Sequence, residues 1–133
     1  MTDARFGDDQ LHAIQQLPAR SGVVFRHYHL ATRQRRALFI QVLRICRRRG
    51  HIVLLAGDAR TALRWHADGF HQRSHGQTKL LHSAPVHNAR EIADVKRCSP
   101  DLLFLSPLFA TNSHPGARPL GPLMFQRLAK LAK

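Results

Sequence analysis

Short apolar segments alternate with amphipathic ones along this chain. Gly22 to Tyr28 is β-branched and aromatic, follows Pro18, and predicts a strand. Ala31 to Arg49 predicts a helix, because Leu38, Val42 and Ile45 recur at helical spacing beside Phe39, Leu43 and Cys46. Thr32 is a candidate N-cap, and Gly50 is a stop signal. Further strands are predicted at Ile52 to Ala56, Asp68 to His71, Leu80 to His87 and Leu102 to Leu105. Helices are predicted at Thr61 to His66, Ala89 to Cys98 and Pro122 to Ala132. The strands are continuously apolar, as strands covered on both faces are. Alternation of strand and helix implies parallel βαβ units with right-handed crossovers. A doubly wound open sheet fits 133 residues; a closed eight-stranded barrel needs at least about 200.

Composition narrows the class. Twenty-one Lys and Arg against eight Asp and Glu give a net charge of +13, a surface that attracts anions. An arginine-rich genome composition accounts for the same excess. No apolar run reaches the roughly 20 residues of a membrane span. Met1 to Asp9 lacks the basic start and apolar stretch of a secretory signal, so the expected location is the cytoplasm. Cys46 and Cys98 give neither a zinc spacing nor a disulfide framework, and Cys46 reads as a core residue. No helix-turn-helix, zinc finger or aromatic RNA platform is visible, so nucleic acid is not the expected partner.

The C-terminal third carries a specific pattern. After Asp101 and the apolar run come Ser106-Pro107-Leu108-Phe109, then Thr111, Ser113 and His114, then Leu120-Gly121 before a helix. This resembles the thiamine phosphate synthase/TenI family, with its Gly/Ser-Pro-Val-Phe and Thr-x-Thr/Ser-Lys elements. Upstream segments agree in order. Thr2-Asp3-Ala4-Arg5 is similar to the end of that family's first strand, and Arg26 to the arginine of its second. Leu55 to Asp58 lies at its Ile-Asn-Asp, Ala67 to His71 at its Ala-Asp-Gly-Val-His, and Val86-His87-Asn88 at the Val-His-Ser of the TenI branch. The departures are equally clear. Tyr28 and His114 stand where the family has lysines, Val24 where it has glutamine and Gly57 where it has asparagine. The Gly-Gln-x-Asp after the histidine motif is absent.

The resemblance implies a parallel (β/α) barrel of the TIM type. It is expected to be incomplete, with residues 1–133 partial at both ends, since the family continues through two further strands and their phosphate-holding loops. Unpaired edges of apolar strands then imply self-association. The implied activity is coupling of hydroxymethylpyrimidine diphosphate to a thiazole phosphate with Mg²⁺, weak or absent in this short chain. A TenI-like thiazole tautomerase, and a non-catalytic binder of a phosphorylated metabolite or partner, are the alternatives. Asp58 is the candidate magnesium ligand, or else a helix cap. Arg26 is a candidate for phosphate, or for an ion pair with a carboxylate such as Asp58. His71 is a candidate substrate contact and His87 a candidate base, and each reads equally as a structural histidine. Ser106, Thr111, Ser113 and His114 are candidate substrate contacts, or an ordinary polar turn. Arg26, Asp58, His71, His87 and Ser106 are all expected at the C-terminal ends of parallel strands.

Overall fold

The computed structural model describes residues 1–7, 9–73, 79–111, 116 and 118–132. It divides into two compact units, Met1–His71 and Gln72–Lys133.

The first unit begins with a short 3-10 turn, Ala4–Phe6, and a helix α1, Asp9–Gln15. Strands β1 (Gly22–Phe25), β2 (Ile52–Ala56) and β3 (Gly69–His71) are joined by helices α2 (Thr32–Arg49) and α3 (Ala59–Arg64). β1 pairs with β2 and β2 with β3, both parallel. Val53, Leu55, Ala56 and Phe70 lie fully buried, as expected when both faces of a strand are covered. α2 supplies Phe39, Val42 and Cys46 to this core, all completely buried. Phe39 meets Phe25 edge-on, with centroids 5.3 Å apart, and lies 5.4 Å from Trp65. Gly50 ends α2 in the left-handed region at φ 68°, where a Cβ would be strained, and its N–H bonds to the Arg47 carbonyl. Arg47, Arg48 and Arg49 occupy the last turn, where positive charge suits the helix dipole. Burial pushes the Cys46 thiol up to about 11, with the Asp68 charge adding to the shift, so it stays a protonated core residue.

The second unit contains β4 (Leu81–Val86), α4 (Ala89–Lys96), β5 (Leu102–Leu105) and α5 (Gly121–Leu131), with β4 and β5 parallel. Its core joins Ala84, Val86, Ile92, Val95 and Leu128, and half-buried Leu103 and Leu105 pack against it. Asn88 caps α4 by accepting from the Glu91 N–H at 2.9 Å.

One device recurs in both units. Asp68, just before β3, accepts from the Val53 N–H at 2.7 Å, while its own N–H donates to the Val53 carbonyl at 2.9 Å. Asp101, just before β5, does the same to His82 at 2.7 and 2.9 Å. Each aspartate thus locks the start of its strand to the start of the preceding one. Register then follows residue by residue to the far end, where Ala56 faces His71 and Val86 faces Leu105.

Several local expectations are corrected. The first strand stops at Phe25 rather than Tyr28, because His27 takes φ 45° and turns the chain. Ala31, not Thr32, occupies the N-cap of α2, and no side chain caps it. Thr2 to Arg5 is not a strand, yet Thr2 behaves like the end of one: its N–H reaches the Val24 carbonyl at 2.8 Å, and its hydroxyl accepts from the Arg26 N–H at 2.9 Å. Helix α1 went unforeseen in the sequence. Among the described residues, no helix is long and apolar enough to cross a membrane.

Replacing Asp68 or Asp101 by Ala removes a charge-assisted bond to a strand N–H. Both aspartates are solvent-exposed, so the expected loss is about 1–2 kcal/mol each. Denaturant unfolding measures it, and the Asn variants, which keep an acceptor oxygen, should lose less. Unchanged midpoints in the Ala variants would show that the register is set elsewhere.

Candidate functional site

In the first unit the parallel register brings three expected residues to one end of the strands. Arg26 directly follows β1, Asp58 lies two residues past β2, and His71 is the last residue of β3. Arg26 is half-buried, with its guanidinium 5.8 Å from the Tyr28 ring centroid. His71 is buried. Asp58 is exposed and caps α3: its carboxylate accepts from the Thr61 N–H and hydroxyl, each at 2.8 Å. The bonds from the Thr61 backbone and hydroxyl hold its carboxyl below the usual range, against a small opposing effect of burial.

Two further side chains at this end escaped the sequence reading. Arg35 reaches from α2 across the ends of both strands, donating to the Arg26 carbonyl at 2.8 Å and the Ala56 carbonyl at 2.5 Å. Its guanidinium lies 5.2 Å from the centroid of Tyr28, 5.6 Å from Trp65 and 5.9 Å from Phe25. Burial makes its charged form costlier than usual, although the Tyr28 hydroxyl opposes this. His27 is buried, and its Nε2 lies 2.7 Å from Gln10 Oε1. With the amide oxygen accepting, Nε2 carries the proton and Nδ1 presents a lone pair. Nδ1 is buried and has no hydrogen-bond partner among the described residues. Burial lowers the His27 pKa, and the charges of His29 and Arg35 lower it further, while Asp3 opposes them; the neutral ring is favoured. An orphaned buried acceptor costs about 1–3 kcal/mol, and a left-handed non-glycine residue adds a similar penalty. Both costs fall on one residue at the functional end of β1. That suits an atom kept to accept a bond from a ligand.

In the second unit, His87 follows β4 and Ser106 follows β5, so the two are neighbours by register. His87 Nδ1 lies 2.6 Å from the Ser106 carbonyl oxygen. A carbonyl only accepts, so Nδ1 carries the proton and Nε2 is the basic nitrogen. The His87 N–H also donates to Glu91 Oε2 at 2.8 Å, and Glu91 Oε1 pairs with Arg73 at 2.6 Å. Burial raises the Glu91 pKa, but the bonds from Arg73 and His87 outweigh it and hold the group below its ordinary value. Thr111 is exposed. Ser113 and His114 lie outside the described residues.

The family implied by resemblance uses Mg²⁺, so the donor set matters. Asp58 is a single exposed carboxylate whose two oxygens already serve a cap. Among the described residues, no three His, Cys, Asp or Glu side chains gather to hold a metal ion. By themselves these groups do not make a resident magnesium site.

Comparison with known proteins agrees with the geometry. A search of curated proteins found no significant match. Among solved structures, the chain is similar to a thiamine phosphate pyrophosphorylase from Pyrococcus furiosus, with a TM-score of 0.77 at 16% identity. The likeness covers 98% of this chain and 68% of that one. At that identity it establishes the fold, a parallel α/β arrangement of the TIM-barrel type. Five strands are present among the described residues, short of the eight that close such a barrel. The family model described as thiamine monophosphate synthase matches residues 2–133. Over nearly its whole length, therefore, this chain belongs to the thiamine monophosphate synthase family.

Proposed function

We propose that this chain serves thiamine biosynthesis as a synthase-like protein that binds hydroxymethylpyrimidine diphosphate and a thiazole phosphate. The observation that carries the reading is the family match over residues 2–133. The position of Arg26 and His71 at the C-terminal ends of parallel strands, where barrels of this type keep their sites, supports it. In this reading Arg26 meets the diphosphate with a planar fork of donors. His27 Nδ1 accepts from a donor on the bound pyrimidine. His71, Ser106, Thr111, Ser113 and His114 remain proposed substrate contacts, and Asp58 a proposed ligand for magnesium that arrives with substrate.

Coupling expels diphosphate, and each lost 1.4 kcal/mol of stabilisation slows that step about tenfold. Tyr28 and His114 replace two cations of the family pattern, and Asp58 is committed to its helix. Binding without fast turnover is the expected behaviour. Calorimetry should show saturable binding of the pyrimidine diphosphate, weakened roughly tenfold in Arg26→Ala through loss of a charge-assisted contact. A wild-type chain that does not bind it would end the proposal. With both substrates and Mg²⁺, little thiamine phosphate should form. Robust turnover abolished by Asp58→Ala would show that the magnesium site is complete after all.

A second reading is favoured by one observation, the fixed tautomer of His87. A base whose Nδ1–H is held by the Ser106 carbonyl suits proton transfer on a thiazole ring, as in the TenI branch. Aromatisation of a thiazole tautomer, followed by absorbance, should then fall on the order of 100-fold in His87→Ala while the fold persists. Equal rates in the two proteins would remove His87 from the chemistry.

A further inference from the structure

We infer a second binding surface on the solvent side of α2, where a row of arginines fits the phosphate backbone of a nucleic acid duplex. Exposure divides this helix into two faces. Phe39, Val42, Leu43, Ile45 and Cys46 are buried. Arg33, Arg44, Arg47 and Arg48 are exposed. At about 100° per residue these four fall within an arc of about 100°, and from Arg33 to Arg48 the helix rises about 22 Å. The row runs away from the strand ends that hold the proposed site. Its last members sit where strands begin: α2 ends at Arg49, just before β2, and Arg47 donates to the carbonyl of His66, ahead of β3, at 3.2 Å. Arg36 shares the exposed face but borders the cavity beside Asp58, so it belongs to the other site.

Nothing on the helix offsets this charge. The chain has eight acidic residues, yet none of the 18 residues of α2 is acidic. Among the described residues, no ion pair engages any of the four arginines. Arg44 precedes Arg47 by three residues and Arg48 by four, spacings at which like charges destabilise a helix. Genome composition accounts for the number of arginines, but not for a helix without a single carboxylate. The repulsion is relieved by an anion, and the character of the face selects which one. Ala37, Ile40 and Gln41 lie between the arginines, and Ile40, 37% exposed, is the only large apolar side chain among them. A protein partner would need an apolar core at the contact. A membrane surface would need an apolar face to receive. Unpaired bases would need aromatic side chains to stack on, and this face has none. A duplex needs none of these. Its phosphates lie on the outside, one per about 3.4 Å of each strand, so the row faces about six of them. Guanidinium forks match phosphate oxygens. The lack of a base-reading motif removes sequence readout and leaves backbone binding intact, so recognition is independent of sequence.

The test titrates the whole chain into a labelled, random-sequence DNA duplex of about 20 base pairs, longer than the row, and follows anisotropy at several salt concentrations. Four phosphate contacts predict that wild-type binding weakens on the order of 100-fold between about 50 and 200 mM salt. Arg33→Gln/Arg44→Gln/Arg48→Gln, with unchanged circular dichroism, should weaken less than about fivefold over the same range, because roughly one contact remains. Arg33→Lys/Arg44→Lys/Arg48→Lys keeps the charges and should keep the wild-type salt dependence. Arg90→Gln/Arg97→Gln/Arg127→Gln removes the same charge from exposed positions of the second unit and should also bind as the wild type does. A wild type without salt-dependent duplex binding would overturn the proposal. Equal losses in the two Gln variants would overturn it too, since bulk charge would then be the attractant. So would a Lys variant as weak as its Gln counterpart, or tighter binding to the single strand or to phosphatidylglycerol vesicles than to the duplex.

Discussion

The register that sets His71 beside Ala56 and Ser106 beside His87 depends on two aspartates at the opposite end of the strands. Asp68 and Asp101 each bond to the N–H of the second residue of the preceding strand, Val53 or His82, through a carboxylate and to that residue's carbonyl through their own backbone. Parallel ladders have evenly spaced, slanted bonds and no tight hairpin to set their register. A double contact at the strand start supplies what the hairpin would. A slip of one residue would turn each buried side chain to the other face. It would also carry His71 away from Ala56 and Ser106 away from His87.

Held in that register, the strand ends offer two kinds of chemistry. The first unit presents cations and an orphaned acceptor: Arg26, Arg35 and the buried lone pair of His27. The second presents a histidine with its tautomer fixed by a carbonyl and a neighbouring Glu91–Arg73 pair. A synthase needs the former to bind a diphosphate, and a tautomerase needs the latter to move a proton. The solved relative named a thiamine phosphate pyrophosphorylase shares the fold at 16% identity, too little to choose between them.

Much of this was legible in the sequence. Continuous apolar strands such as Ile52 to Ala56 and Leu102 to Leu105 announced parallel pairing, and both have the bounds expected of them. The motif order placed Arg26, His71, His87 and Ser106 at strand ends. His27 was not legible, because its value lies in a positive φ and a missing partner, and neither leaves a trace in residue type. Arg35 looked like one more arginine on a basic helix; only the fold shows it spanning two strand ends. Asp68 read as part of a strand, since a carboxylate folding back onto an N–H fifteen residues earlier has no local signature. Helix α1, with seven residues and only Gln10 and Ile14 buried, carries too little apolar periodicity to register.

The central claim is that ligands of this chain meet the C-terminal ends of its strands. Amide shifts of the nitrogen-15-labelled protein titrated with thiamine phosphate test it most directly. The account predicts saturable shifts at Arg26, Gly57, His71, His87 and Ser106. Shifts confined to the opposite end, at Ser21, His51, Asp68 and Asp101, or none at high ligand concentration, would contradict it.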